Sequence, residues 1–254
     1  MQLASRLPPP RALQQRLAVL AERPALVLGP LVAVQWVAVL VFALGTPRNG
    51  LLFYQGGDQT FFYTTGWSLG EGSIPRTGIG YAWPLALAPI AIVAGPSFLS
   101  ALPAILALQF LVLLPLALLA VYGIATHIGG RPFGYWAAGL WVALPYLAIP
   151  LFVDRYHEQF AEQFLPHALG LSGLGDFPST VALLGAAYFV LRALDDEDVA
   201  AAVLAGLVTG FACGIKPANL LFLPAPFLAL ALARRWREAV AFGAALTPAL
   251  LALA

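Results

Sequence analysis

Charged residues are scarce in this sequence of 254 residues, since Asp, Glu, Lys and Arg make up 10% of the chain. An average soluble domain has about a quarter. The formal net charge is +1, so no basic field favours nucleic acid as a partner. Cys213 is the only cysteine, which excludes a disulfide within the chain. The composition therefore argues against a soluble domain and against a nucleic-acid-binding protein.

Motifs that hold nucleotides or activate a serine are also missing. The sequence contains no G-x-x-x-x-G-K-[ST], no G-x-G-x-x-G after a strand and no G-x-S-x-G. The first two patterns form backbone cradles for phosphates, and the third presents a nucleophilic serine at a strand-to-helix turn. Cytosolic nucleotide chemistry therefore has no visible site in this chain.

Long apolar stretches dominate the sequence instead. Hydrophobic residues make up 61% of the chain, and the mean hydropathy is +0.85. The apolar blocks reach about 17 to 27 residues, close to the ~20 that cross a bilayer as a helix. This pattern predicts an all-α fold, a polytopic transmembrane helical bundle. The predicted spans are 24–45, 98–125, 134–152, 178–194, 199–215, 217–233 and 239–254.

The placement of arginine orients these spans. Residues 1–23 carry four arginines and residues 234–237 carry three, and cytoplasmic segments collect Lys and Arg. The two segments share a side only if an even number of spans separates them. The apolar stretch 84–95 is therefore interpreted as interfacial or re-entrant on the outer side, because it reaches only ~18 Å as a helix. We expect a multi-pass integral membrane protein with a cytoplasmic N-terminus, and the richness in Arg and Ala favours a bacterial inner membrane.

The chain divides into a cytoplasmic segment, 1–23, and a transmembrane domain, 24–254. Its two outer loops, 46–97 and 153–177, are longer than simple connectors, and such loops tend to be functional. Apolar positions recur at helical spacing after Asp58, so short interfacial helices are expected in these loops. The last span ends without a flanking charge, which predicts a transmembrane domain that is incomplete at its C-terminus.

Two aspartates in the outer loops begin predicted helices. Asp58 follows two glycines, so it is interpreted as an N-cap, as a surface carboxylate that takes a proton or holds a cation, or as both at once. Asp176 begins the sequence Asp-Phe-Pro where the second loop re-enters the membrane. This pattern predicts a helix start with Asp176 as the cap and Pro178 in the first turn.

The second loop also carries a denser polar segment. As a helix, this segment would place Asp154, either His157 or Glu158, and Glu162 along one side. Oxygen ligands with a histidine suit Mg²⁺ or Mn²⁺, so one interpretation is a divalent-cation site. The other interpretation is the polar face of an exposed helix. His167 is interpreted as a structural or headgroup contact.

The only lysine in the chain, Lys216, lies between two closely spaced spans at the predicted outer surface. One interpretation is that its side chain extends from the membrane edge to lipid phosphates. The other is that it binds the phosphate of a ligand as a point charge. The sequence does not decide between the two.

Taken in order, these features resemble the GT-C superfamily of membrane glycosyltransferases, which includes protein mannosyltransferases and aminoarabinose transferases. The resemblance covers roughly 24–240. It is carried by Gly57-Asp58 through Gly70 and Pro75, Pro84-Leu-Ala-Leu-Ala-Pro89, Asp176-Phe-Pro178 and Lys216-Pro217. Many of those relatives have two adjacent acids in the first loop, whereas here Gln59 follows Asp58, and family members are usually much longer.

The resemblance implies that a sugar moves, with inversion, from a polyprenyl-phosphate-linked donor to an acceptor on the outer face. It implies that Asp58 is the general base and that the side chains of Lys216 and Arg76 bind the donor phosphate. Four further side chains would hold a divalent cation, Mg²⁺ or Mn²⁺, or orient the donor: Asp154, His157, Glu158 and Asp176. The implied partners are the lipid-linked donor, membrane lipids and an unspecified acceptor, without nucleic acid.

Two other functions stay open. A non-catalytic membrane scaffold, or a truncated remnant of a transferase, would keep the fold without the reaction and would tolerate Asp58→Asn. A transporter would need ionisable residues inside its spans, where pathways and coupling sites lie. The predicted spans hold almost none, which makes a transporter the weaker alternative.

Overall fold

The computed structural model describes residues 22–45, 57–76, 78–149 and 164–251, and every regular element within these ranges is a helix. Long apolar runs favour helices because a helix satisfies its own backbone hydrogen bonds where water is excluded. Eight of the described α-helices are α1 (Pro24–Gly45), α2 (Asp58–Gly70), α3 (Ala82–Ala94), α6 (Leu165–Ala168), α7 (Asp176–Asp195), α8 (Val199–Ile215), α9 (Pro224–Leu232) and α10 (Trp236–Leu251).

One further apolar helix extends over Phe98–Leu147 and is interrupted at Gly130, whose φ of 77° and ψ of 175° are not helical. The rings of Tyr122 and Tyr135 stack with centroids 5.2 Å apart, although a straight helix would separate residues at this spacing by ~20 Å. The helix therefore folds back on itself at a glycine, the residue that adopts such a φ most readily. Its two arms are α4 (98–129) and α5 (131–147), and the reversal falls between two predicted spans.

Length and composition support three membrane-crossing helices among the described residues: Pro24–Gly45, Phe98–Leu147 and Asp176–Asp195. Shorter apolar helices occupy Ala82–Ala94, Val199–Ile215 and Pro217–Leu232. The coarser prediction of an all-helical fold with helices able to cross a membrane is therefore confirmed for the described residues. The seven-span topology stays a prediction.

Among the predicted boundaries that differ from the observed helices, two have a local physical reason. The segment that begins at Pro217 starts as a 3₁₀ helix over Pro217–Phe222, and α9 begins only at Pro224. Proline has no amide hydrogen and is tolerated at a helix start, which explains the second boundary. The last helix begins at Trp236 rather than at residue 239, because Arg234 has a positive φ of 59° that ends the preceding turn.

The described turns gather at two opposite ends of the molecule. One end, called the Lys216 end, carries the start of α7 and the end of α8. The other, called the His127 end, joins residues that were predicted on the cytoplasmic side. Three contacts make this junction: His127 with Asp195 at 2.6 Å, Arg131 with the carbonyl of Glu22 at 3.4 Å, and Arg235 with Glu197 at 2.5 Å. The twenty residues of α7 separate the two ends by ~30 Å.

A hydrophobic cluster fixes the helices at the Lys216 end. Its buried members come from α2, α3, α4 and the last turn of α8, so four segments that are distant in sequence share one core. They include Phe62, Tyr63, Trp83, Leu87, Phe98, Ile105 and Ile215. Helix α3 has 13 residues, ~20 Å, and lies against α2 through this cluster.

Candidate functional site

Asp58 is the first residue of α2, and its side chain is exposed. The cap of the helix is Gly57, with a φ of 61°, and no side chain caps the amides of the first turn. The interpretation of Asp58 as an N-cap is therefore wrong, because the preceding glycine adopts the left-handed conformation and takes that position. A carboxylate in the first turn is favoured by the positive end of the helix dipole. Its exposure makes it accessible to a ligand.

The buried face of α2 holds this carboxylate in place. Gln59, Phe62 and Tyr63 are buried, and the Tyr63 hydroxyl donates a hydrogen bond of 2.5 Å to the carbonyl of Gly95. The Tyr63 ring also lies 5.6 Å from the ring of Phe98, centroid to centroid. Helix α2 is thus attached to the start of α4.

Two side chains, Gln59 and Gln109, hold the Ser172–Gly173 peptide in the segment before α7, and we call them the peptide clamp; Trp83 holds the carbonyl of the next peptide. Gln109 donates to the carbonyl of Ser172 at 2.5 Å, and the amide of Gly173 donates to Oε1 of Gln59 at 2.6 Å. The indole of Trp83 donates to the carbonyl of Gly173 at 3.1 Å. Both polar groups of one peptide bond are therefore fixed by buried side chains from two different helices.

The clamp leaves two polar atoms without a hydrogen-bond partner in the described part of the chain, Nε2 of Gln59 and Oε1 of Gln109. Gln59 is 1% exposed, and Gln109 is fully buried within a π-helical turn, Gln109–Leu113. Burying an unpaired polar group costs about 1–3 kcal/mol. The clamp is therefore a costly arrangement, and π-helical turns occur frequently at functional sites.

Asp176 and Lys216 form an ion pair three residues beyond the clamp. Nζ of Lys216 donates to Oδ1 of Asp176 at 2.5 Å, and both side chains are about half exposed. The cap of α7 is Gly175, so the prediction that Asp176 caps this helix is wrong, whereas Pro178 does lie in its first turn. The carboxylate of Asp176 therefore contacts Lys216, just beyond the end of α8, instead of capping the amides of its own helix.

A second contact fixes the chain that carries Lys216. Asn219, in the 3₁₀ helix, donates to the hydroxyl of Ser179 at 2.6 Å and to the carbonyl of Ala212 at 2.7 Å. One amide group thereby joins α7, α8 and the 3₁₀ helix. The backbone on both sides of the ammonium group is fixed, while the group itself stays accessible to solvent.

Arg76 is exposed in the connection between α2 and α3. The hydroxyl of Tyr81 donates to the carbonyl of Pro75 at 2.6 Å, which holds this connection in place. Gly80 lies against the backbone of Gly214, two residues before Lys216. Four residues of chain reach at most ~14 Å, so Arg76 lies within that distance of Gly80 and at the Lys216 end.

His167 contacts the same loop, as expected for a structural role. Its Nδ1 lies 3.1 Å from the hydroxyl of Ser172, whose carbonyl belongs to the clamped peptide. Burial lowers the pKa of His167, and the negative charge of Asp176 opposes this by raising it. The folded protein therefore favours the neutral imidazole at this position.

Stability is expected to fall as the pH is lowered through about 6.5, the ordinary pKa of histidine. The pKa of His167 is lower in the folded state than in the unfolded state. The unfolded state therefore binds a proton first, and acid favours unfolding in this range; above it the contribution is constant. Thermal unfolding between pH 5 and 7.5 measures the effect, and His167→Asn should flatten the profile. An unchanged profile in that variant would contradict the assignment.

The predicted cation ligands Asp154, His157 and Glu158 lie outside the described residues. Within the ranges that the structure describes, no group of three or more His, Cys, Asp or Glu side chains could hold a metal ion. The fourth predicted ligand, Asp176, already accepts a hydrogen bond from Lys216. Within the described residues, the positively charged partner of Asp176 is therefore the ammonium group of Lys216.

A cavity of about 970 Å³ lies between α4 and α7, and Pro178, two residues after Asp176, lines it, although Asp176 and Lys216 do not. Trp83 and Pro178 line it near the Lys216 end, and His127 and Arg131 line it at the other end. Leucines of α4 and small apolar residues of α7 form most of the wall between them. Ligand pockets usually have volumes of about 300–1,000 Å³, so the cavity is large enough for a sizeable apolar group.

The site thus combines an exposed carboxylate, an ion pair with an accessible ammonium group and the start of an apolar cavity. Sequence reasoning identified Asp58, Asp176 and Lys216 but missed the clamp residues Gln59 and Gln109. The available signal was a glutamine inside the apolar run of α4, where an amide side chain needs a buried partner. No protein-family model matches the chain, and neither a curated protein nor a solved structure matches it.

Proposed function

We propose that the protein is a membrane glycosyltransferase that moves a sugar from a polyprenyl-phosphate-linked donor to an acceptor. The observation that carries the proposal is that Asp176, the partner of Lys216, lies two residues before Pro178, which lines the apolar cavity. A charged group beside a long apolar cavity suits a ligand with a phosphate at one end and a hydrocarbon tail at the other. The resemblance of the motifs to the GT-C superfamily supports the same assignment.

The donor would bind through both of its parts. The leucine-lined cavity accepts a section of the polyprenyl tail, because apolar surface gains ~25 cal/mol for each Å² removed from water. The ammonium group of Lys216 has three N–H donors, and Asp176 accepts one of them, which leaves donors for the phosphate oxygens. Arg76 adds a second positive charge at the same end.

The exposed carboxylate of Asp58 serves as the general base. It accepts the proton of the acceptor hydroxyl while that oxygen attacks the anomeric carbon, on the face opposite to the phosphate. The new carbon–oxygen bond forms as the bond to the phosphate oxygen breaks, and its electron pair leaves with the polyprenyl phosphate. Lys216 stabilises the negative charge that develops there. The product has the inverted configuration.

In this proposal the apolar helices cross a bacterial inner membrane, with the Lys216 end outside and the N-terminus in the cytoplasm. The ~30 Å length of α7 equals the thickness of the hydrocarbon core. The His127 end carries Arg131, Arg192 and Arg235, as a cytoplasmic surface would. A divalent cation, Mg²⁺ or Mn²⁺, stays part of the proposal through Asp154, His157 and Glu158.

Asp58→Asn is expected to lower transfer by about 10²–10⁴-fold, the usual contribution of a general base. The measurement is transfer from radiolabelled polyprenyl-phosphate sugars by the purified protein in detergent. The matched control is Glu71→Gln, which removes another exposed carboxylate just beyond the opposite end of α2. The control should retain the wild-type rate.

Three outcomes would count against the proposal. Equal transfer by Asp58→Asn and wild type would exclude the role of Asp58 as base. No transfer from any donor by folded wild-type protein would favour the scaffold or remnant. Solute uptake into vesicles that contain the protein would favour the transporter instead.

A further inference from the structure

A second cavity, of about 400 Å³, lies between α1, the folded-back arms α4 and α5, and the start of α7. It is separate from the larger cavity, and none of the proposed transfer residues lines it. Its walls come from helices on three sides and from the segment around α6. The residues that line it include Gln35, Val39, Trp141, Tyr146, Leu169 and Phe177.

The described wall of this cavity is mostly apolar, and besides the indole of Trp141 its polar side chains are Gln35 and Tyr146. Oε1 of Gln35 and the hydroxyl of Tyr146 have no hydrogen-bond partner within the described part of the chain. Gln35 is 4% exposed, so water outside the protein does not solvate its side chain. An unpaired buried polar group destabilises the fold, and native proteins rarely leave such groups without a partner. A bound ligand with a polar group would supply that partner.

The chemistry of the wall selects the kind of ligand. No charged side chain among the described residues lines the cavity, so burying a charged ligand there would carry a large desolvation cost. A pure hydrocarbon would leave both polar groups unpaired. A hydroxyl donates one hydrogen bond and accepts others, so it suits the amide oxygen of Gln35 and the phenol of Tyr146 alike.

We infer that this cavity binds a neutral lipid alcohol, a hydrocarbon chain that carries a hydroxyl group, through Gln35 and Tyr146. The volume of about 400 Å³ lies in the lower part of the range for ligand pockets, which favours a single chain. The ring of Phe42 contacts that of Tyr146 edge to face at 6.1 Å and adds to the fixed geometry around the phenol. The inference is independent of the proposed transfer reaction.

The test compares two probes of equal chain length, 1-dodecanol and n-dodecane, with the full chain in lipid nanodiscs. Tritiated probe retained after rapid filtration gives the bound amount. Both probes can enter the larger apolar cavity, so the expected signal is the alcohol-selective part of saturable binding. Dodecanol bound in excess of dodecane should approach one molecule per protein, with an affinity about tenfold higher, since a buried hydrogen bond is worth roughly 1.4 kcal/mol. Gln35→Leu and Tyr146→Phe should each reduce the preference for the alcohol.

Thr126→Val is the matched control. Thr126 also has a buried hydroxyl without a partner among the described residues, but it lines the larger cavity. This variant should bind dodecanol like wild type. Equal retention of alcohol and alkane, or a preference that both cavity variants retain, would overturn the inference. Absence of saturable binding to folded wild-type protein would also overturn it and would leave water as the partner of Gln35 and Tyr146.

Discussion

Gly80→Ala is expected to destabilise the protein by more than alanine at any other described glycine. A methyl group at this position would lie 1.8 Å from the carbonyl oxygen of Gly214 and 2.6 Å from its carbon. Overpacking usually costs about 1–3 kcal/mol, and more when the obstacle cannot move. Here the obstacle is backbone, so we expect a loss at or above that range, together with displacement of Lys216. Thermal unfolding of the purified protein in detergent measures it.

Gly78→Ala provides the control for this substitution. Gly78 lies in the same connection, and a methyl group there would meet no atom within 4 Å. Its unfolding temperature should stay within a degree or two of wild type, because surface changes away from special features cost less than ~0.5 kcal/mol. A similar loss of stability in both variants would show that any substitution in this connection destabilises the protein. The close approach of Gly80 to Gly214 would then not be the cause.

Gln109→Leu is expected to lower the free energy of unfolding by about 1–3 kcal/mol, because it leaves the carbonyl of Ser172 buried without its donor. Removing the unpaired Oε1 of Gln109 offsets part of this loss. We also expect the position of Asp176 to change, because the peptide released from Gln109 lies only three residues before it. Hydrogen exchange at the amide of Gly173 should accelerate, and transfer should fall even at temperatures where the variant stays folded.

The control for the clamp is Gln35→Leu, which replaces another buried glutamine. The oxygen of Gln35 has no partner among the described residues, so its loss should leave stability unchanged or raised in the absence of ligand. A double variant, Gln59→Leu with Gln109→Leu, should lose less than the sum of the two, because both side chains hold one peptide. Strict additivity would contradict a shared clamp.

The sequence predicted the long helices well because their signals are local. The apolar run of α1 and the run that forms α7 specify helices by length and composition alone, whatever the neighbours. The fold-back at Gly130 was also predictable, since two glycines and an arginine separate two apolar runs there. The positions of Asp58 and Asp176 at helix starts followed from the same local rules.

The site contacts could not be predicted because they join distant parts of the chain. Gln59 meets Gly173 across 114 residues, and Lys216 meets Asp176 across 40. No periodicity encodes such pairs; they follow from how the helices pack. The capping assignments failed for a more local reason. A glycine precedes both aspartates and takes the cap position itself, which frees each carboxylate for contacts outside its helix.

The wide sequence separation within the peptide clamp also constrains the order in which the protein assembles. Contacts between distant residues form only after the entropy of closing the loop between them has been paid, so they tend to form late. During synthesis Gln59 and Gln109 are made well before Gly173, and Lys216 follows later still. Until then both buried amides lack their peptide partner. The Lys216 end therefore becomes ordered late, and a nascent chain acquires a complete site only once α8 has emerged.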